Sequence, residues 1–150
     1  MSETNDPTLV KKIQDYFDNP PDSEFHLMAF LQRTKVLYAS GKKCVFELVV
    51  KKEECNRMNS LFGGSVATII DILSTATLIS SQDTRYRDGG VSTDLAISYV
   101  STVGIGDTIV IECVNYRIGK SLANTYTLIK EKTTGRVVAT AQHTKYCSKH

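Results

Sequence analysis

The 150-residue sequence has only three histidines (His26, His143, His150), and its four cysteines (Cys44, Cys55, Cys113, Cys147) form no Cys-x-x-Cys pair. No zinc-ligand spacing arises, and reduced thiols are expected rather than a disulfide framework. No metal or cofactor is expected. Charge of one sign is also scarce: the net charge is +2, and basic residues occur as pairs such as Lys42-Lys43 and Lys51-Lys52. Without basic runs interleaved with aromatics, there is no nucleic-acid footprint. No apolar run reaches the roughly twenty residues a membrane-spanning helix needs. Internal repeats and low-complexity segments are absent. The N-terminus, Met-Ser-Glu-Thr-Asn-Asp, is acidic and polar, neither a secretory signal nor an Arg-rich transit peptide. A cytoplasmic location is expected, with mitochondrial as the alternative. The Ser-Lys-His ending departs from the peroxisomal Ser-Lys-Leu at its last residue, which argues against that address.

What is there is ordinary in bulk: 41% hydrophobic and 23% charged residues over a length that suits one domain. The informative stretch runs from Asn56 to Ser81. From Phe62 it reads as a single helix, with Val66, Ala67, Ile69, Ile70, Ile72, Leu73, Ala76, Leu78 and Ile79 on nearly every face. A helix apolar all round belongs inside a protein. One charge, Asp71, interrupts it, and a carboxylate taken out of water is costly unless it has a task. At the helix start, Gly63 and Gly64 place backbone N–H groups that lack intrahelical acceptors where a ligand oxygen can approach closely. Helix dipole and open donors together make a workable oxyanion hole. Eight residues separate Gly63 from Asp71, about 12 Å at helical rise. That is too far for one copy of the helix to serve one carbonyl. Two antiparallel copies bring the Asp71 of one beside the glycines of the other, so a homodimer with two shared sites is expected.

Around this helix the pattern reads as α+β. Asp6-Pro7 signals a helix start, followed by Leu9, Val10, Ile13 and Phe17 at helical spacing, until Asn19-Pro20-Pro21-Asp22 breaks it. Phe25 to Leu31 suits a short second helix. Residues 1–34 are thus expected to form a helical arm packed on a main domain of residues 35–150. Val36 and Tyr38, then Cys44, Phe46, Leu48 and Val50, alternate about a Ser40-Gly41-Lys42 turn as a hairpin. After a polar loop from Gln82 to Gly90 come four strand-like runs: Val91–Val100, Asp107–Arg117, Ser121–Glu131 and Arg136–Cys147. Turns at Gly104-Ile105-Gly106, Ile118-Gly119-Lys120 and Thr133-Thr134-Gly135 predict an antiparallel meander of all four. A sheet wrapped on one apolar helix satisfies both elements.

Smaller features allow two readings each. Alternation puts Ser92 and Asp94 on one strand face, opposite Thr93, Leu95 and Ile97. Ser92 would orient a water, or the face is simply half-exposed and polar, which is the plainer reading. Asn56 would add a second hydrogen bond to a bound carbonyl, or only tolerates a left-handed turn conformation. Gly119-Lys120-Ser121, with Arg117 nearby, would grip a phosphate or form a solvated turn; the phosphate-binding P-loop pattern is missing. Gly104-x-Gly106 lacks the third glycine of a dinucleotide fingerprint, and no Gly-x-Ser-x-Gly elbow occurs. His143 lies in a strand with no acidic neighbour in sequence and reads as structural.

Taken together, Asn56-x5-Phe62-Gly63-Gly64, Asp71, Val91-Ser92-Thr93-Asp94-Leu95-x-Ile97-x-Tyr99, Gly106-Asp107 and Gly119-Lys120-Ser121-Leu122-Ala123 resemble the hotdog-fold acyl-CoA thioesterases of the PaaI-like group, in particular the thioesterase superfamily member 2 type. The resemblance covers about residues 35–147. It implies an antiparallel sheet wrapped around a long helix, and homodimers often paired into tetramers. It also implies a substrate, acyl-CoA, whose CoA is not a separate cofactor. Asp71 would be the base or nucleophile, Gly63 N–H the oxyanion donor, Ser92 the water-orienting hydroxyl and Asn56 a support for the thioester. CoA contacts would fall at Tyr99, Val100, Ser101 and Thr102, at Arg117 with Gly119, Lys120, Ser121 and Leu122, and at Tyr146, with Phe62 and Gly64 beside the thioester. The family places His just before the paired glycines, where this sequence has Phe62. The backbone donor survives that change, while a polar side-chain contact is lost and the dehydratase branch of the fold is disfavoured. Two classes therefore remain in play: an acyl-CoA thioester hydrolase acting on a medium-chain, long-chain or aromatic acyl group, or a non-catalytic acyl-CoA-binding hotdog protein weakened by Phe62.

Overall fold

The structure is a computed structural model that describes residues 3–20 and 26–147. Phe25, the Pro21-Asp22 part of the expected break and the Ser-Lys-His ending lie outside the described residues. Helix α1 spans Pro7–Asp18. Its first turn is held by Asp6, whose Oδ1 accepts from the N–H of Thr8 at 2.9 Å and of Leu9 at 3.3 Å, with Pro7 in the position where its missing N–H costs nothing. Leu9, Ile13 and Phe17 are buried and join the main core. A 3-10 segment, His26–Arg33, leads into strand β1, Lys35–Ala39, and a tight hairpin to β2, Lys43–Val49. Gly41 at φ 78° supplies the left-handed turn residue.

Helix α2 runs Gly63–Ser80 and packs across one face of a six-stranded antiparallel sheet. By length and hydropathy α2 would suit a membrane span. Here Val66, Ile69, Ile70, Leu73 and Leu78 are instead buried within the protein. Each such side chain contributes about 1.5–3 kcal/mol on leaving water. The remaining strands are β3, Val91–Tyr99; β4, Thr108–Ile118; β5, Leu122–Glu131; and β6, Val137–Tyr146. Their spatial order is β1-β2-β4-β5-β6-β3.

That order corrects the expected four-strand meander. Strands β4, β5 and β6 do form one, but β3 pairs with β6 at the far edge. The Gly104-Ile105-Gly106 stretch therefore closes no hairpin. It carries the chain past the start of α2, tied there by Leu61 N–H to Val103 O at 2.9 Å and Gly106 N–H to Val50 O at 2.8 Å. Glycine spacing marks a tight bend equally well whether the strands on either side pair or part.

A second correction concerns the faces of β3. Ser92 lies opposite Lys145 and Asp94 opposite Thr144, so Thr93 is an extra residue, a β-bulge. Cross-strand partners share a face. Ser92 thus sits on the helix side with Leu95 and Ile97, opposite His143 and Ala141, while Asp94 faces away. Strict alternation would have put Ser92 on the same face as Asp94. The bulge turns it toward α2 instead.

Candidate active site

Asp71 projects from the middle of α2 with its side chain half exposed. Its Oδ1 lies 3.7 Å from Nε2 of His143, too long for a hydrogen bond. The ring of His143, buried on β6, is held from both sides: Ser74 Oγ is 2.7 Å from Nδ1 and Ser92 Oγ is 2.8 Å from Nε2. Burial pushes the imidazole below its usual range, and the Lys145 ammonium lowers it further, against opposing pulls from Asp71 and Asp94. The ring is therefore neutral near pH 7. Lys145, also buried, donates from Nζ to Ser92 Oγ at 3.2 Å. Burial lowers its pKa, and the Asp71 carboxylate works the other way.

This cluster unites two predicted residues, Asp71 and Ser92, with His143, which the sequence marks as structural, and Lys145, which it does not single out. A signal for them existed. Ala139, Ala141, His143 and Lys145 share one parity along β6, so the strand's alternation carries a histidine and a lysine onto its buried face.

The helix start forms a second group. Phe62 occupies the N-cap but offers no side-chain acceptor, so the amides at the start of α2 keep no capping partner. The Phe62 ring packs over Gly64, where an added Cβ would come within 2.6 Å of it. Tyr99 from β3 donates its hydroxyl hydrogen to the Gly63 carbonyl at 2.9 Å. Asn56 is folded back toward the helix start by the Cys55–Leu61 bridge and by the Phe62 N–H to Glu54 O bond of 2.9 Å. Its Oδ1 accepts from Met58 and Ser60 N–H, which directs the side-chain amide nitrogen elsewhere. The left-handed turn residue in this loop is Asn59, at φ 57°, not Asn56. Ser101 and Thr102 follow β3, bound through Ser101 Oγ and Thr102 O to the guanidinium of Arg136, another residue not anticipated. Val100, between Tyr99 and Ser101, is exposed.

The third group, Arg117 with Gly119, Lys120, Ser121 and Leu122, forms the β4–β5 turn beside Tyr146. Leu122 pairs with Tyr146, and Cys147 bonds back to Ser121 O and Lys120 O. Strand β3 spans the distance between these ends. Val91 lies opposite Tyr146 and Tyr99 opposite Ala139, and eight residues of strand cover about 26 Å. Within one chain, the glycine-and-Tyr99 end and the Tyr146 turn therefore lie at opposite ends of the sheet edge, and the Asp71 cluster is about 12 Å along α2 from Gly63. Among the described residues no three His, Cys, Asp or Glu side chains gather into a metal-binding group.

Comparison with known proteins gives consistent results. Residues 58–139 match the thioesterase superfamily. The chain is 34% identical to mouse acyl-coenzyme A thioesterase 13 over 116 residues, 77% of this chain and 81% of that one. It superposes on the crystal structure of zebra fish thioesterase superfamily member 2 with a TM-score of 0.84 at 30% identity, covering 93% of this chain and 98% of that one. A hypothetical thioesterase from Streptococcus pneumoniae, solved with coenzyme A, shares the fold at a TM-score of 0.73 and 19% identity, over 81% of this chain and 90% of its own. With its sheet wrapped on a long central helix, the chain belongs to the thioesterase superfamily and has the hotdog fold.

Proposed function

We propose that this protein hydrolyses an acyl-CoA thioester to the free acid and CoA in sites shared between two protomers. The observation that carries the proposal is the division of the candidate residues into separated groups. One holds a half-exposed carboxylate near a fixed hydroxyl; another holds uncapped amide donors. The outer edge of β3 supports their union, since among the described residues β3 ends the sheet and Val91, Tyr99 and Val100 are exposed there. An unpaired edge of nine residues is a template for another strand. Antiparallel pairing of two such edges sets the Tyr99 end of one chain against the Val91 end of its partner. It also brings each Asp71 toward the partner's helix start. Pairing of such dimers into a tetramer is part of the same reading.

In such a site the thioester carbonyl oxygen accepts from the Gly63 N–H and the Asn56 side-chain amide of one chain. Water held at Ser92 of the other gives a proton to Asp71 as its oxygen bonds to the carbonyl carbon. The negative charge gathers on the oxyanion donors. Collapse breaks the carbon–sulfur bond and CoA leaves as the thiolate, which then takes a proton. Direct attack by the Asp71 carboxylate, followed by hydrolysis of the anhydride, uses the same residues.

The relatives named for acyl-coenzyme A, and the fold relative solved with coenzyme A, support the substrate class. A cleft of about 820 Å³ between α1 and α2, lined by Ile13, Phe17, Ile72 and Ala76 together with Asp71 and Lys145, supports a medium-chain, long-chain or aromatic acyl group. Its size falls within the roughly 300–1,000 Å³ of ligand sites. The test is release of free thiol from short, long and aromatic acyl-CoAs by wild type and Asp71→Asn. Loss of a general base should lower kcat by about 10²–10⁴-fold. Undiminished hydrolysis by Asp71→Asn would overturn the mechanism.

A second reading, a non-catalytic acyl-CoA binder, is favoured by the Phe62 ring lying over Gly64 at the oxyanion end. It requires wild type to bind acyl-CoA without releasing thiol, and Phe62→His to gain turnover from near zero.

A further inference from the structure

We infer that Lys145 is a positioning residue that sets the direction of a hydrogen-bond chain, so that Ser92 meets the attacking water as an acceptor. The inference rests on the site proposed above. The chain runs Lys145 Nζ, Ser92 Oγ, His143, Ser74 Oγ and the Asp71 carbonyl, with contacts of 3.2, 2.8, 2.7 and 3.3 Å. An ammonium group has donors only. It therefore occupies one lone pair of Ser92. The Ser92 hydrogen goes to Nε2 of the neutral His143 ring. The ring's one hydrogen then sits on Nδ1 and is given to Ser74, whose own hydrogen goes to the Asp71 carbonyl. In this arrangement each hydroxyl hydrogen and the ring hydrogen is donated once. Ser92 keeps a single open lone pair, which can receive one hydrogen of a water whose other hydrogen points at the Asp71 carboxylate. The water's own lone pair is then left for the carbonyl carbon.

The opposite arrangement puts the hydrogen on Nε2 and makes Ser92 a donor to water. The Asp71 carboxylate, 3.7 Å from Nε2, favours that form. Lys145 opposes it. The lysine is 5% exposed, whereas the Asp71 side chain is 49% exposed and screened by solvent, so the nearby positive charge prevails. Other charges near the lysine are few. Lys12 on α1 and Arg87 and Asp88 on the loop after α2 line the same cleft, and Asp94 on β3 faces away.

The test needs no turnover. Long-range proton–nitrogen NMR of the 15N-labelled full chain reports which ring nitrogen of His143 carries hydrogen, and with three histidines the signal is assigned by difference with His143→Gln. The expected spectrum shows a protonated Nδ1 and a bare Nε2 at neutral pH. In Lys145→Met the hydrogen should move to Nε2 or divide between the two nitrogens. Lys145→Arg, which keeps the charge, should restore Nδ1. With the water misaligned in Lys145→Met, kcat should fall by up to about a hundredfold, with a much smaller change in KM. A hydrogen on Nε2 in wild type overturns the inference, and so does an unaltered Nδ1–H form in Lys145→Met. Should that variant fail to fold, the wild-type spectrum and Ser92→Ala, which removes the donor to Nε2, decide the matter. A protein with the Nδ1–H form but no thiol release from any acyl-CoA would retain this inference and refute the hydrolase reading.

Discussion

His143→Leu separates the folding role of the buried histidine from its role in the site. The substitution removes the 2.7 and 2.8 Å hydrogen bonds to Ser74 and Ser92. Ser74 still reaches the Asp71 carbonyl, and Ser92 still accepts from Lys145, so neither hydroxyl is left without a partner. At about 1 kcal/mol per hydrogen bond, the loss near neutrality is about 2 kcal/mol. For a chain of this size that lowers Tm by roughly 4–8 °C. The pH dependence has a definite sign. The fold depresses the histidine's affinity for a proton, so below about pH 6.5 the unfolded chain binds more protons than the folded one. Wild type thus holds this stability above about pH 6.5 and loses it as pH falls toward the folded value, at no more than about 1.4 kcal/mol per pH unit. The leucine variant has no such proton to take up. Urea unfolding of both proteins at about pH 7.5 and pH 5.5 should show the gap between them narrowing on acidification. A gap that stays constant or widens would refute the neutral, buried assignment of His143.

Two further outcomes are expected. Gly90→Ala should destabilise by about 1–3 kcal/mol, because Gly90 sits at φ 66° and an added Cβ would come within 2.6 Å of the Tyr146 carbonyl oxygen; urea unfolding measures it, and an unchanged midpoint would contradict the geometry. In a hydrolase, Phe62→His should change thiol release by less than about tenfold, since the Gly63 amide does not depend on that side chain; a much larger gain points to the non-catalytic reading instead.

The long helix and the strand segments were legible because their hydrophobic period is strong, and strand ends agree within a residue or two. Asp71 stood out as one charge in an apolar helix, and the glycines stood out at its start. The placement of β3 was not legible. A bend at Gly104 and Gly106 looks the same in sequence whether the next strand pairs with the last or crosses the sheet. The bulge at Thr93 was hidden too, since one extra residue leaves the composition unchanged while reversing which side chains face α2. His143 read as structural because its neighbours in space lie far off in sequence: Asp71 on α2 is 3.7 Å away, and Ser92 is across the sheet. An inward-facing histidine and lysine two residues apart on β6 were the available clue.

The shared site is tested most directly by mixing two inactive chains. Asp71→Asn removes the carboxylate. Gly63→Pro removes the amide hydrogen, and proline is tolerated at the first helical position, where the extended backbone of Phe62 at φ −72°, ψ 139° suits the residue before it. Each variant alone should release almost no thiol from acyl-CoA. Co-expressed in equal amounts, they should recover about a quarter of wild-type turnover, since half of randomly paired dimers are mixed and each mixed dimer has one intact site of two. Recovery near that fraction is the result expected of a carboxylate and an amide from different protomers; no recovery, from dimers shown to be mixed, would contradict it.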